Sequence, residues 1–359
     1  MAILSEEQTM LRDMAREWTK KENPVGAFRK LRDADADSGY DADVYAQMAE
    51  MGWSGVIIPE AHGGSDFGYM SLGLVLEETG RSLTASPLLA SALGAASALI
   101  LGGSDAQKGA WLPKITGGEV IGTLAIDEGP RHNPGKNETS VSGGKLSGTK
   151  MFVPEGMSAG LFIVAAADGV YLVDGSADGV TRSGRSMVDQ RGWAEVTFDG
   201  AVADKLAAGG GDLLDQILDR ARIGAAAEML GMASQAFDVT LAYLKQRVQF
   251  NQVLSSFQAL QHRMADLFGE IELMRSAVEN GLAALDDNRG DIAMAASQAK
   301  AVASDAIHHM SKEAVQLHGG IGMTDEYDIG FYLKRARTLE QLWGSSAFHR
   351  DRFALLNDY

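Results

Sequence analysis

Two segments of this sequence gather side chains that could hold a nucleotide. Arg247-Val248-Gln249-Phe250, followed by Phe257-Gln258, puts a fixed cation, two amides and aromatic rings around one helix-to-helix turn. A guanidinium can grip a pyrophosphate through paired hydrogen bonds, while amides and rings suit an adenine or a ribose. Gln316-Leu317-His318-Gly319-Gly320 adds backbone bare of side chains, which a ligand can approach closely. By themselves these segments specify either a nucleotide site or a capped helix with a glycine turn.

Other chemical constellations fail on spacing. The run Asp33, Asp35, Asp37, Asp41, Asp43 invites comparison with a calcium loop. Counted from Asp33, however, position six is Ser38 instead of glycine and position twelve is Val44 instead of glutamate. A solvated loop is the expectation. His308 and His309 are adjacent on a helical stretch and point in different directions, so they cannot present two ligands to one metal. Gly319-Gly320-Ile321-Gly322 follows a helix and lacks the preceding strand of a nicotinamide fingerprint.

Three blocks must position the two nucleotide-like segments. Ser5-Glu6-Glu7-Gln8 has capping-box spacing and starts a helix running to about residue 20. More helical signal covers 44–51, 69–81 and 88–101, broken by the turn-rich Pro59-Glu60-Ala61-His62-Gly63-Gly64, so residues 1–118 read as a helical domain. Residues 119–208 carry short apolar runs at 121–126, 161–165, 170–173 and 194–198, separated by Gly, Asp and Ser, which is a small β domain. Gly209-Gly210-Gly211 then leads to Asp212, a candidate N-cap, and residues 209–359 are helical. Leu260, Met264, Leu267, Ile271, Met274, Val278, Leu282 and Leu285 recur at spacings of three and four, marking one apolar stripe on a long helix. Stretches near 212–246, 291–317 and 328–356 supply its neighbours, giving an antiparallel four-helix bundle. The fold class is α+β, mostly α.

The bulk numbers restrict partners. At 359 residues the chain exceeds what one core supports, so two or three packed units are expected. Its net charge of −16 has the wrong sign for a nucleic-acid surface. With no cysteine, disulfides and thiolate metal sites are out. The N-terminal residues lack a basic region followed by an apolar core, and no 18-residue apolar run occurs, so no membrane association and a cytoplasmic location are expected.

The order helices, small β domain, four-helix bundle, with R-x-Q-F-x(6)-F-Q and then Q-L-H-G-G-I-G-M-T, resembles the acyl-CoA dehydrogenase family over essentially the whole chain. Ile58-Pro59-Glu60 with Gly63-Gly64, Glu77-Glu78-Thr79-Gly80-Arg81 and Leu112-Pro113-Lys114-Ile115 match as well. The resemblance implies FAD as cofactor. It also implies that Arg247, Gln249, Phe250, Phe257, Gln258, Gln316, Gly319 and Gly320 reach across a subunit interface to hold the ADP half of a neighbour's FAD.

Family chemistry needs a carboxylate to take the α-proton of an acyl thioester while the β-hydrogen leaves as hydride, and burial makes such a base stronger. The usual glutamate precedes a Gly-Thr/Ser pair; the matching stretch is Leu342-Trp343-Gly344-Ser345-Ser346, with Trp343 at the base position. The family's other base position, before an arginine on the first bundle helix, is Ala221-Arg222. Arg222 itself reads either as a structural or CoA-side residue or, as is commoner for one arginine in a helix, as a surface or interface residue. Candidates for a relocated base are Glu340, one turn before Trp343, and Glu228, two turns after Ala221; both also read as ordinary helix glutamates. The family's T-E-P segment with a following G-S-D becomes Ala125-Ile126-Asp127-Glu128-Gly129, keeping only Glu128. Its W-I-T segment becomes Phe152-Val153-Pro154, where proline has no N–H to offer.

An intact ADP grip with degraded flavin and base segments resembles the shorter subunit of the heteromeric α2β2 acyl-CoA dehydrogenases of bacterial steroid side-chain degradation. That implies a paralogous catalytic subunit as partner, an acyl-CoA substrate reached through the complex, and an electron-acceptor flavoprotein. A self-sufficient homotetramer with a relocated base and a non-enzymatic scaffold are the alternatives.

Overall fold

The structure, a computed structural model, describes residues 3–34, 38–206 and 211–359. Its chain divides into two compact units. One comprises Met1–Phe28, Gly73–Thr84 and Arg222–Tyr359, and the other Arg29–Leu72 and Ala85–Ala221. Helices α1 (Glu6–Glu22), α2 (Val25–Asp33), α3 (Ala42–Glu50), α4 (Gly68–Arg81), α5 (Ala96–Gly102) and α6 (Asp105–Thr116) precede the strands. Ser5 and Gln8 form the expected capping box at the start of α1. In the acidic run, Asp41 caps α3 by accepting from the amides of Asp43 and Val44, while Asp35 and Asp37 lie outside the described residues.

The strands are β1 (Gly122–Ala125), β2 (Ser140–Ser142), β3 (Lys145–Val153), β4 (Leu161–Ala166), β5 (Gly169–Asp174), β6 (Val180–Gly184), β7 (Ala194–Val202) and β8 (Asp204–Lys205). They make two four-stranded sheets in the orders β1-β4-β5-β8 and β2-β3-β7-β6. The pair β1·β4 is parallel and the others are antiparallel. Alternating apolar residues from both sheets fill one core, in which Phe162 and Phe198 meet edge to face at 5.7 Å.

The remaining elements are α7 (Leu213–Gln246), β9 (Val248–Gln249), β10 (Gln252–Val253), α8 (Gln258–Asp286), α9 (Ile292–His318), α10 (Ile329–Gln341) and α11 (Ser346–Leu355). Of the Gly209-Gly210-Gly211 lead-in, Gly209 and Gly210 lie outside the described residues; the Asp212 carbonyl accepts from Gln216 at 3.0 Å. On α8 the stripe from Met264 to Leu285 is buried. Helices α4 and α7 pack backbone to backbone, since a Cβ at Gly231 would lie 1.8 Å from the Glu77 carbonyl oxygen. Two carboxylates of α4 lock the unit, Glu78 to Arg16 at 2.7 Å and Glu77 to Arg275 at 2.9 Å.

Two helical expectations need correction. The stretch 88–101 starts as a π-helix, Leu88–Ala95, before α5 takes over. The stretch 328–356 is two helices, because Trp343 (φ 55) and Gly344 (φ 113) turn the chain left-handed and Ser345 caps α11 through the Phe348 amide. His308 and His309 do face different neighbours, pairing with Glu340 and Glu270 respectively.

Candidate cofactor-binding site

The R-x-Q-F segment is a hairpin. Val248 pairs with Val253 and Gln249 with Gln252, leaving Phe250 and Asn251 as a two-residue loop with φ of 54° and 63°. Two left-handed central residues make the tight turn that matches strand twist. Phe250 is 83% exposed, its ring edge-on to Phe257 with centroids 6.1 Å apart. Arg247 is exposed, and its guanidinium makes no hydrogen bond or ion pair among the described residues. Gln249 and Gln258 are exposed alongside it. At the end of α9, Gln316, Gly319 and Gly320 are exposed, and a Cβ on either glycine would meet nothing within 4 Å. Gly319 adopts φ 65 and ψ −142, a conformation open essentially to glycine alone.

The two positions that the resemblance assigns to the family base hold no carboxylate. Trp343 is 2% exposed, and Ala221 is fully buried on α7. Arg222, read from the sequence either as a structural or CoA-side residue or as a surface or interface one, is fully buried. It donates from Nε to the Trp343 carbonyl at 3.1 Å, and its guanidinium lies 5.5 Å from the centre of the Phe348 ring. His349 donates from Nε2 to the same carbonyl at 3.1 Å. Lys300, also fully buried, donates to the Gly344 carbonyl at 2.9 Å and the Glu340 carbonyl at 3.2 Å. Burial and the charge of Arg222 bring Lys300 down to about 7, despite Glu340 nearby. Burial, then Arg222 and Lys300, brings His349 down to about 2, so its ring is neutral. The left-handed turn at Trp343 is therefore held by three nitrogen donors that bind its carbonyls. Lys300 and His349 carry no motif; only their tertiary placement reveals them.

The two relocated-base candidates are both engaged. Burial pushes the Glu340 carboxyl up, opposed by His308 at 3.1 Å and Arg337 at 2.9 Å. Glu228 accepts from Arg335 Nε at 2.9 Å and from a second guanidinium nitrogen at 3.2 Å, a bidentate pair.

In the β unit, Glu128 accepts from Lys150 at 2.7 Å, from the Thr139 hydroxyl and amide at 2.6 and 2.9 Å, and from the Glu138 amide at 2.6 Å. Burial works against this carboxylate, but these donors bring it down to about 2. Lys150 is also lowered, because its own burial outweighs the attraction of Glu128. Pro154 accepts from the Thr123 hydroxyl through its carbonyl at 2.5 Å.

Comparisons with known proteins agree with this architecture. The acyl-CoA dehydrogenase N-terminal domain family matches residues 5–119 and the C-terminal domain family residues 209–354. The chain is 32% identical to acyl-CoA dehydrogenase IpdE2 of Mycolicibacterium smegmatis over 95% of its own length and 96% of that protein's. Against IpdE2 of Mycobacterium tuberculosis it is 31% identical over 94% and 93%. A structure described as the Tcur3481-Tcur3483 steroid ACAD superimposes with a TM-score of 0.92 at 31% identity, covering 98% of both chains. The ChsE4-ChsE5 complex of Mycobacterium tuberculosis shares the fold, with a TM-score of 0.91 at 23% identity over 100% and 99% of the two chains.

The cofactor of this family is FAD. The exposed Arg247, Gln249, Phe250 and Gln258 and the open Gly319-Gly320 backbone have the chemistry its ADP half requires, whereas the one flavin-segment carboxylate retained, Glu128, is committed to Lys150. No helix among the described residues is long and apolar enough to cross a membrane. With both end domains matched and two relatives above 30% identity along nearly its whole length, the chain belongs to the acyl-CoA dehydrogenase family.

Proposed function

We propose that this chain is the non-catalytic subunit of a heteromeric acyl-CoA dehydrogenase, completing the ADP half of the FAD site of a paralogous catalytic chain. The observation that carries the reading is Trp343, a buried indole at the usual base position whose own carbonyl is tied down by Arg222 and His349. An indole cannot accept the α-proton. In this reading Arg247 pairs with the pyrophosphate, Phe250 and Phe257 supply aromatic surface, Gln249, Gln258 and Gln316 supply amides, and Gly319-Gly320 lets the backbone approach. FAD, when bound, supplies the hydride acceptor for the β-hydrogen of the acyl thioester, and the partner supplies the carboxylate. A steroid side-chain CoA as substrate is supported by the likeness to the Tcur3481-Tcur3483 steroid ACAD, whose name joins two chains. Electrons would leave to an electron-acceptor flavoprotein.

A second reading, a self-sufficient homotetramer, has one observation in its favour: burial raises the Glu340 carboxyl, as a base requires. Its pairing with His308 and Arg337 argues against it. The test is acyl-CoA-dependent reduction of an artificial electron acceptor by the chain alone and by the chain coexpressed with acyl-CoA dehydrogenase paralogues from its own genome. The proposal expects turnover only in a coexpressed pair; turnover by the isolated chain would overturn it.

A further inference from the structure

We infer that Tyr243 is a positioning residue for the cofactor grip, holding the Arg247 hairpin and the Gly319-Gly320 turn in one register, with the rings of His318 and Tyr327 packed against it to keep it in place. This rests on the reading that these segments bind the ADP half of FAD. The two segments are far apart in sequence, and Tyr243 touches both through its two oxygens. Its main-chain carbonyl accepts from the Arg247 amide at 2.8 Å, and its hydroxyl donates to the His318 carbonyl at 3.2 Å. The second bond fixes the peptide that leads directly into Gly319.

The rings of Tyr243, His318 and Tyr327 form a three-way cluster, in which the two tyrosines also meet edge to face at 6.1 Å and 65°. The His318 centroid is 4.4 Å from that of Tyr243 at an interplanar angle of 30°, and 4.7 Å from that of Tyr327 at 45°. His318 Nδ1 bonds the Ala314 carbonyl at 2.7 Å. A carbonyl only accepts, so Nδ1 carries the proton and Nε2 holds a lone pair. That Nε2 is buried without a partner, and burial lowers the ring's pKa, keeping it neutral. Three rings and three hydrogen bonds thus make a brace behind the exposed grip. No cavity or charged ligand is needed for this role, and none of the three residues need touch the cofactor.

The test uses the coexpressed complex and measures FAD affinity by reconstituting the flavin-free form. Tyr243→Phe keeps the ring cluster and removes only the hydroxyl. It should weaken FAD by roughly 5- to 10-fold per folded complex, as expected for one lost hydrogen bond in the holding geometry. Combined with Arg247→Met, the loss should be smaller than the product of the two single effects, because both act on one grip. If Arg247→Met weakens FAD and Tyr243→Phe does not, or if the two effects multiply, the inference falls while the functional reading stands. If neither substitution changes FAD affinity, both fall.

Discussion

Arg222 donates its Nε–H to the main-chain carbonyl of Trp343 at 3.1 Å across 121 residues of sequence, tying the residue after Ala221 to Trp343 by a buried hydrogen bond. The arginine that follows Ala221 thus stabilises the turn at Trp343; Ala221 and Trp343 are the two places where the resemblance puts the family base. Arg222→Met keeps much of the volume and removes this bond and the contact with Phe348. It should destabilise the fold by about 1.5–3 kcal/mol, the range for a hydrogen bond to a charged group, read as the shift in a urea unfolding curve. An unchanged midpoint would show the turn to be self-supporting.

Trp343→Glu restores a carboxylate to the family position but not the rest of the site, since Pro154 and the Glu128–Lys150 pair remain. The variant chain alone should show no acyl-CoA-dependent flavin bleaching when supplied with FAD. Bleaching would mean that the flavin-facing segment is functional and that the indole alone silences this subunit.

Glu340→Gln distinguishes a base from a structural carboxylate. In the coexpressed complex the rate of substrate-driven flavin reduction should stay within about twofold of the parent, well short of the loss that removal of a general base brings. A collapse in rate with FAD still bound would transfer the chemistry to this chain.

Lys300 should give stability an alkaline slope. Its folded value is lowered to about 7, whereas the unfolded chain holds the proton up to the ordinary lysine range near 10.5. Between those limits the unfolded state binds more protons, so stability rises with pH by up to about 1.4 kcal/mol per unit. Denaturant unfolding at pH 7, 8 and 9 should show the parent gaining on Lys300→Met as pH rises. Parallel curves would mean that Lys300 keeps its proton when buried.

Much of this fold is legible in the sequence because local chemistry dictates it. Ser5 and Gln8 announce their helix, the α8 stripe from Met264 to Leu285 marks a buried face, and the apolar runs of the β unit fall on β1, β4, β5 and β7. What sequence alone hides is tertiary. The break at Trp343 had a signal, a Gly-Ser-Ser following it, yet helical periodicity on both sides concealed the left-handed turn. No sequence motif marks Arg222 and Lys300 as buried among backbone carbonyls. Arg247, Gln249 and Phe250 could be named from their motif, but their exposure on a hairpin with a two-residue loop, and the cluster of the Tyr243, His318 and Tyr327 rings, belong to the folded chain.

The central claim is tested most directly by counting flavin. The chain should be purified alone and with its coexpressed paralogue, and bound FAD per chain measured together with native mass. One FAD per two chains in a mixed tetramer, with little FAD on the isolated chain, is the predicted result. One FAD per chain in a homotetramer of this chain alone would contradict it.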